Sequence, residues 1–169
     1  MTPLKNDDNT TTLTVPYGDY KSIKIGYGLN ADQNLSDPAS FPQDHPLSNY
    51  QSMYWPMIKY RFVKFEGKSN QISTGTDYPI AIHPGKYFLY QTENYDFAST
   101  LVVNSNSAQE LEIRFDINDI FDGPAGVIDF SKEDANQVHM VDSLDDLIGA
   151  RFMNNLARAT KLEVVQPAQ

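Results

Sequence analysis

From Tyr78 to Ile117 the apolar residues arrive in short alternating runs, and each run is cut off by Gly, Pro, Asn or Ser. Alternation of apolar and polar side chains suits a strand with one buried face, whereas an amphipathic helix needs its apolar residues three and four apart. Tyr78 to His83, Lys86 to Gln91, Phe97 to Val103 and Leu111 to Ile117 therefore read as short strands. In the last of these Leu111, Ile113, Phe115 and Ile117 share one face, with Glu112, Arg114 and Asp116 on the other. Upstream, Ile23, Ile25 and Tyr27 alternate with Lys24 and Gly26, and Leu13 and Val15 form a short edge. Ile58 to Phe65 is apolar on both sides and reads as an interior strand. Leu162 to Val165 closes the series. Only one stretch keeps a helical period: Leu144, Leu147, Ile148, Arg151, Phe152 and Leu156 recur at three and four behind a Ser143 to Asp146 capping pattern, and the helix ends near Ala159. The expectation is an all-β fold, a mainly antiparallel β-sandwich with one C-terminal helix packed on it.

A chain of 169 residues, 40% hydrophobic, is long enough to bury one core without staples. Residues 13–166 are expected to form one domain behind a polar, flexible leader over 1–12. The net charge of −9 repels phosphates, so nucleic acid is not an expected partner. No apolar run approaches the ~20 residues of a membrane-spanning helix. The chain holds no cysteine. Any metal would therefore be held by nitrogen, oxygen or thioether ligands.

Potential ligands gather along one stretch. It begins with Asp44-His45-Pro46-Leu47-Ser48, passes through Met53-Tyr54-Trp55-Pro56-Met57, and runs into Tyr60-Arg61-Phe62-Val63-Lys64-Phe65-Glu66-Gly67. It contains one of three histidines and the only tryptophan. The segment before it, Asn30 to Asn49, is broken by Pro38, Pro42 and Pro46 and reads as a long loop, a common place for function. His45, His83 and His139 stand too far apart to form a short metal motif, so spacing alone says little about ligation. For each histidine the plain reading is a surface or satisfied core residue. For Met53, Met57 and Met140 it is packing, and for Trp55 it is a half-buried aromatic at a strand entrance.

HPLS, MYW and YRFVKFEG, in that order, resemble the MbnP-like family of periplasmic or surface copper-binding proteins. Further resemblance follows at Ile82-His83-Pro84-Gly85, at Leu111 to Asp116 with Phe121-Asp122-Gly123, and at His139, over residues 20 to 165. The lack of cysteine makes the chain similar to a Cys-free branch of the Bacteroidetes type. The resemblance implies one copper ion with His45 and His83 as ligands, and His139 and Met53 as lesser candidates. Asp44 would act as a second-layer acceptor for a ligating ring. Trp55 would ligate if oxidised to kynurenine, as in some relatives, by a dihaem partner enzyme. It also implies an exported protein of the periplasm or outer cell surface, a lipoprotein in some members.

Asp116 to Gly123 invites a calcium reading, but Ile120 occupies a position that needs oxygen, and a strand end entering a turn is expected instead. Gly26-Tyr27-Gly28 has no following helix to hold a phosphate. There is no G-x-S-x-G elbow and no recognisable pair of catalytic carboxylates, so an enzyme is not expected. The rival to a copper protein is a surface binding or assembly module for glycan or protein. In that reading ten tyrosines and nine phenylalanines supply the core and a contact face.

Overall fold

The computed structural model of the protein describes residues 10–69, 78–106, 109–131, 138–140 and 147–165. It is mainly antiparallel β, with a C-terminal helix packed on the strands, as the alternation leads one to expect. The sheets are small. Strand β1 (Gly18–Tyr27) pairs antiparallel with β6 (Gln91–Val103), with a register shift between Tyr20 and Ser22. Strand β5 (Tyr78–His83) lies between β4 (Phe65–Ser69), antiparallel to it, and β10 (Val138–Met140), parallel to it. Strand β7 (Glu110–Phe115) pairs antiparallel with β11 (Thr160–Val165). Two short ladders complete the set, β2 (Tyr54–Trp55) with β3 (Lys59–Tyr60) and β8 (Asp122–Gly123) with β9 (Gly126–Val127).

The helices are α1 (Ala31–Asn34), α2 (Ile117–Phe121) and α3 (Leu147–Ala159). Helix α3 follows the three-and-four spacing and ends at Ala159. The Ser143 to Asp146 capping pattern lies outside the described residues, as does most of the leader. The Asn30 to Asn49 loop carries α1, capped by Asn30 and Gln33, and a 3-10 turn over Pro38–Ser40.

Four strand expectations are corrected. Ile58 to Phe65 is not one strand: Lys59, at φ 64°, opens the two-residue β3, and Phe62, Val63 and Lys64 belong to no strand. Only an isolated bridge from Arg61 to Gly85 continues it before β4 begins. Its two-sided apolarity reflects a winding path in which Ile58 and Tyr60 are buried and Phe62 fills the space above Gly28. Among the described residues the strand with a neighbour on each side is β5. Lys86 to Gln91 forms a 3-10 turn over Tyr87–Leu89, because Lys86 is also left-handed (φ 68°), and β6 then runs unbroken. Leu111 to Ile117 stops at Phe115, since Asp116 accepts from the Asn118 N–H and caps α2 in place of the expected turn. Leu13 and Val15 are exposed and belong to no strand.

The core holds Tyr27, Ile80, Ile82, Leu89, Ile120, Ile128, Phe152, Met153, Ala157 and Ala159. Phe121 touches Phe65, Phe130 and Phe152, with ring centroids 5.0, 5.0 and 5.9 Å away. Two polar devices tie α3 in place. The fully buried Asn155 accepts from Ala125 N at 2.8 Å and donates to the Ile120 and Gly126 carbonyls, each at 3.0 Å. Tyr95 donates to the Ala157 carbonyl at 2.8 Å and lies 2.6 Å from the Tyr27 hydroxyl. Burial pushes the Tyr27 phenol well up.

Candidate metal site

His83 ends β5, and the register explains its surroundings. Glu66 on β4 stands opposite Ala81, so His83 is its diagonal neighbour on the same face, within reach of a long side chain. His83 Nε2 lies 2.9 Å from Glu66 Oε1, and Lys64 Nζ lies 3.4 Å from Glu66 Oε2. His83 is only 5% exposed; its Nε2 sits beside the Glu66 carboxylate but off the line of a hydrogen bond, and its Nδ1 has no partner. Burial holds the imidazole below its ordinary range, while Glu66 pulls it up and the Arg61 cation pushes it further down. Desolvation raises Glu66, yet Lys64 and His83 together hold its carboxyl below the ordinary range. A buried, neutral imidazole with unsatisfied nitrogens has the donor chemistry that copper takes.

Pro84 and Gly85 fix this end of β5. The Pro84 carbonyl accepts from Phe62 N at 2.6 Å, and a Cβ on Gly85 would fall 2.7 Å from the Tyr60 carbonyl oxygen. Only glycine allows the chain through. On the other side Tyr60 donates to the Leu47 carbonyl at 2.7 Å. Through Tyr60 and Arg61, then, the HPLS loop is connected to the end of β5.

His45 is half-buried, and its ring stacks on Phe41 at 4.4 Å between centroids. Its Nδ1 accepts from Leu47 N at 3.1 Å, which leaves the proton on Nε2 in the neutral ring. A donor therefore meets the nitrogen that the second-layer role of Asp44 would pair with an acceptor, and the Asp44 side chain itself is exposed. Ligation through His45 requires this hydrogen bond to be given up. Trp55 is half-buried and outside the core, opposite Lys59, with the Arg61 guanidinium 5.6 Å from its ring centroid. Arg61 also donates to the Ser52 carbonyl. Met53 lines a cleft of about 220 Å³ with Pro46, Leu47, Tyr60 and Phe62. His139 lies beside Ile82 in the β10 register and Met140 beside His83.

Among the described residues no three of His, Asp and Glu gather closely enough to hold a metal between them. The structure brings His83 together with Glu66, Lys64 and Arg61, and His45 with Phe41 and Leu47. Arg61 and Glu66 escaped the sequence reading. Their signal was the alternation of charge through Arg61, Lys64 and Glu66, but only the β4–β5 register tells which histidine that charge meets.

Fold and site together define a β-rich protein with a buried histidine at the end of β5 beside Glu66, Lys64 and Arg61, and with no cluster of three metal-ligating side chains among the described residues. The MbnP family model matches residues 3–141, and the chain belongs to the MbnP family. The match ends before α3, short of the residue 165 that the resemblance suggested. No curated protein and no solved structure matches the chain.

Proposed function

We propose that this is an exported, non-catalytic copper-binding protein that acquires or handles copper and holds one ion at His83. Membership of the MbnP family suggests a copper-related extracellular protein. The observation that carries the finer reading is the His83 ring, nearly buried, held neutral and without an aligned partner on either nitrogen. Imidazole suits copper in both common oxidation states, and Met53 adds a thioether that suits copper(I). His45 would join once its ring turns away from the Leu47 N–H, and Trp55 stands by the same connection. His139 is a further donor on the strand next to β5, and Asp44 an exposed acceptor beside His45. The bound ion is cargo, and no reaction is assigned to it. The periplasm or outer cell surface is the proposed location.

Equilibrium dialysis against copper(I) and copper(II), with His83→Ala and His45→Ala alongside, tests the reading. One equivalent bound by the wild type and lost in His83→Ala supports it. Absence of tight binding in the wild type overturns it in favour of a surface binding module. Intact-protein mass spectrometry separates the question of Trp55 oxidation: protein made without a dihaem partner enzyme is expected to carry unmodified tryptophan.

A further inference from the structure

The cleft of about 220 Å³ opens where three stretches of chain meet: Gly28 with Leu29, Pro46 with Leu47, and Met53 with the run from Tyr60 to Phe62. Each stretch is fixed to the next. Tyr60 donates to the Leu47 carbonyl at 2.7 Å, and Arg61 N donates to the Met53 carbonyl at 2.8 Å. Phe62 lies on Gly28, where a Cβ would come within 2.2 Å of its ring, and Gly28 itself stands at φ 90°. Only glycine meets both demands, so the ring can rest on bare backbone and leave the space beside it open. The walls are apolar, and the Tyr60 hydroxyl is already engaged by Leu47.

Among the described residues of this lining Arg61 carries the charge. Its Nε is shut off from water and has no acceptor among the described residues, while another nitrogen of the same fork donates to the Ser52 carbonyl. The guanidinium rests over the Trp55 ring, 5.6 Å from its centroid. A carbonyl and an indole face are neutral partners for a full cation, and a buried donor without an acceptor is costly to keep.

We propose that this cleft binds a small monocarboxylate with an apolar tail, its carboxylate on the Arg61 fork and its tail against Leu29, Leu47, Met53 and Phe62. A carboxylate accepts from two guanidinium N–H groups side by side, and such a charge-assisted pair is stronger than a half-exposed contact between a cation and an indole. Binding therefore draws Arg61 off Trp55. Charge decides against a phosphate ester, which brings nearly two negative charges to one cation on a protein of net charge −9. Size decides against a larger acid, since about 220 Å³ falls below the roughly 300–1,000 Å³ of clefts that take drug-sized molecules. The site needs no metal and is separate from copper binding at His83.

Titration of the copper-free protein with hydrocinnamate tests the site, with hydrocinnamyl alcohol as the same tail without the charge. Proton–carbon NMR of the methionine methyls follows the tail at Met53, the fully buried Met153 reports on the fold, and Trp55 fluorescence follows the guanidinium. Wild type is expected to bind the acid with a Kd on the order of 1 mM, as suits so small a ligand, and the alcohol about tenfold more weakly. The acid alone should change Trp55 fluorescence. In Arg61→Gln the acid is expected to fall to the affinity of the alcohol, with the alcohol unaffected and the Met153 signal in place. Equal binding of acid and alcohol by the wild type, an Arg61→Gln variant that keeps its hold on the acid, or a Met53 methyl unmoved by either at about 10 mM would overturn the proposal. The first and last of these are read on the wild type, so they decide whatever the substitution does to folding.

Discussion

Replacing Asn155 should cost more than replacing an apolar core residue of its size, because three backbone groups are built around its amide. The Ala125 N–H and the Ile120 and Gly126 carbonyls all end on this one side chain, which is 0% exposed. A hydrogen bond of this kind contributes about 1 kcal/mol net, and a buried group left without a partner costs about 1–3 kcal/mol. Ile120 is buried, so its carbonyl takes the full penalty. Ala125 is exposed and Gly126 half-exposed, so water can restore part of theirs. Asn155→Ala should then lose about 3–4 kcal/mol. Asn155→Asp is the sharper variant. It keeps the acceptor for Ala125 N, but turns the donor at Ile120 and Gly126 into a carboxylate oxygen facing two carbonyls, and should lose at least as much. Urea unfolding followed by far-ultraviolet circular dichroism reads both. In thermal terms, about 2–4 °C per kcal/mol for a chain of this size, Asn155→Ala should melt roughly 6–16 °C lower. A loss under about 1 kcal/mol for Asn155→Ala, or an Asp variant as stable as wild type, would show that the amide is not the clamp described.

Three further outcomes follow from the His83 end of β5. Gly85→Ala places a methyl 2.7 Å from the Tyr60 carbonyl oxygen and should destabilise by about 1–3 kcal/mol; an unchanged melting temperature would mean that the backbone there yields freely. His83 titrates below its ordinary value when folded, so the unfolded chain takes up that proton first, and stability falls as pH drops below about 6.5 towards the folded value. His83→Gln should flatten the slope of unfolding free energy against pH in that window, and a slope equal to wild type would count against the burial. Glu66, also held low, contributes in the same sense at lower pH, with stability present above the ordinary carboxylate range and lost as pH falls through its folded value. Copper(II) should quench the single tryptophan of the wild type but not of His83→Ala; stoichiometric binding with unchanged fluorescence would place the ion away from Trp55.

The elements legible in the sequence were those whose period was clean and whose ends were marked. Tyr78 to His83 appears with the bounds its alternation indicated, and α3 ends where its apolar spacing gave out at Ala159. Ile58 to Phe65 misled because burial on both sides is shared by an interior strand and by a chain that winds through the core. The break over Phe62 to Lys64 that decides between them leaves no mark in its residue types. Asp116 showed the same ambiguity on a smaller scale, since an aspartate after a strand fits a turn and a helix cap equally well. At the candidate site the histidines were readable as residue types. Which carboxylate meets which ring was not, because the Glu66–His83 contact is set by a register between strands that lie either side of residues 70–77.

The clamp at Asn155 and the tyrosine pair bear on where this protein begins and ends as a heritable unit. The family model matches as far as residue 141, yet Phe152, Met153, Ala157 and Ala159 complete the core, and Ala157 accepts the hydrogen bond of Tyr95 from well inside the matched part. What is recognisable by descent is thus smaller than what must be synthesised before the strands have their lining. A gene exchange that respected the matched boundary would deliver a chain with the His83 end of β5 intact and one wall of its interior missing.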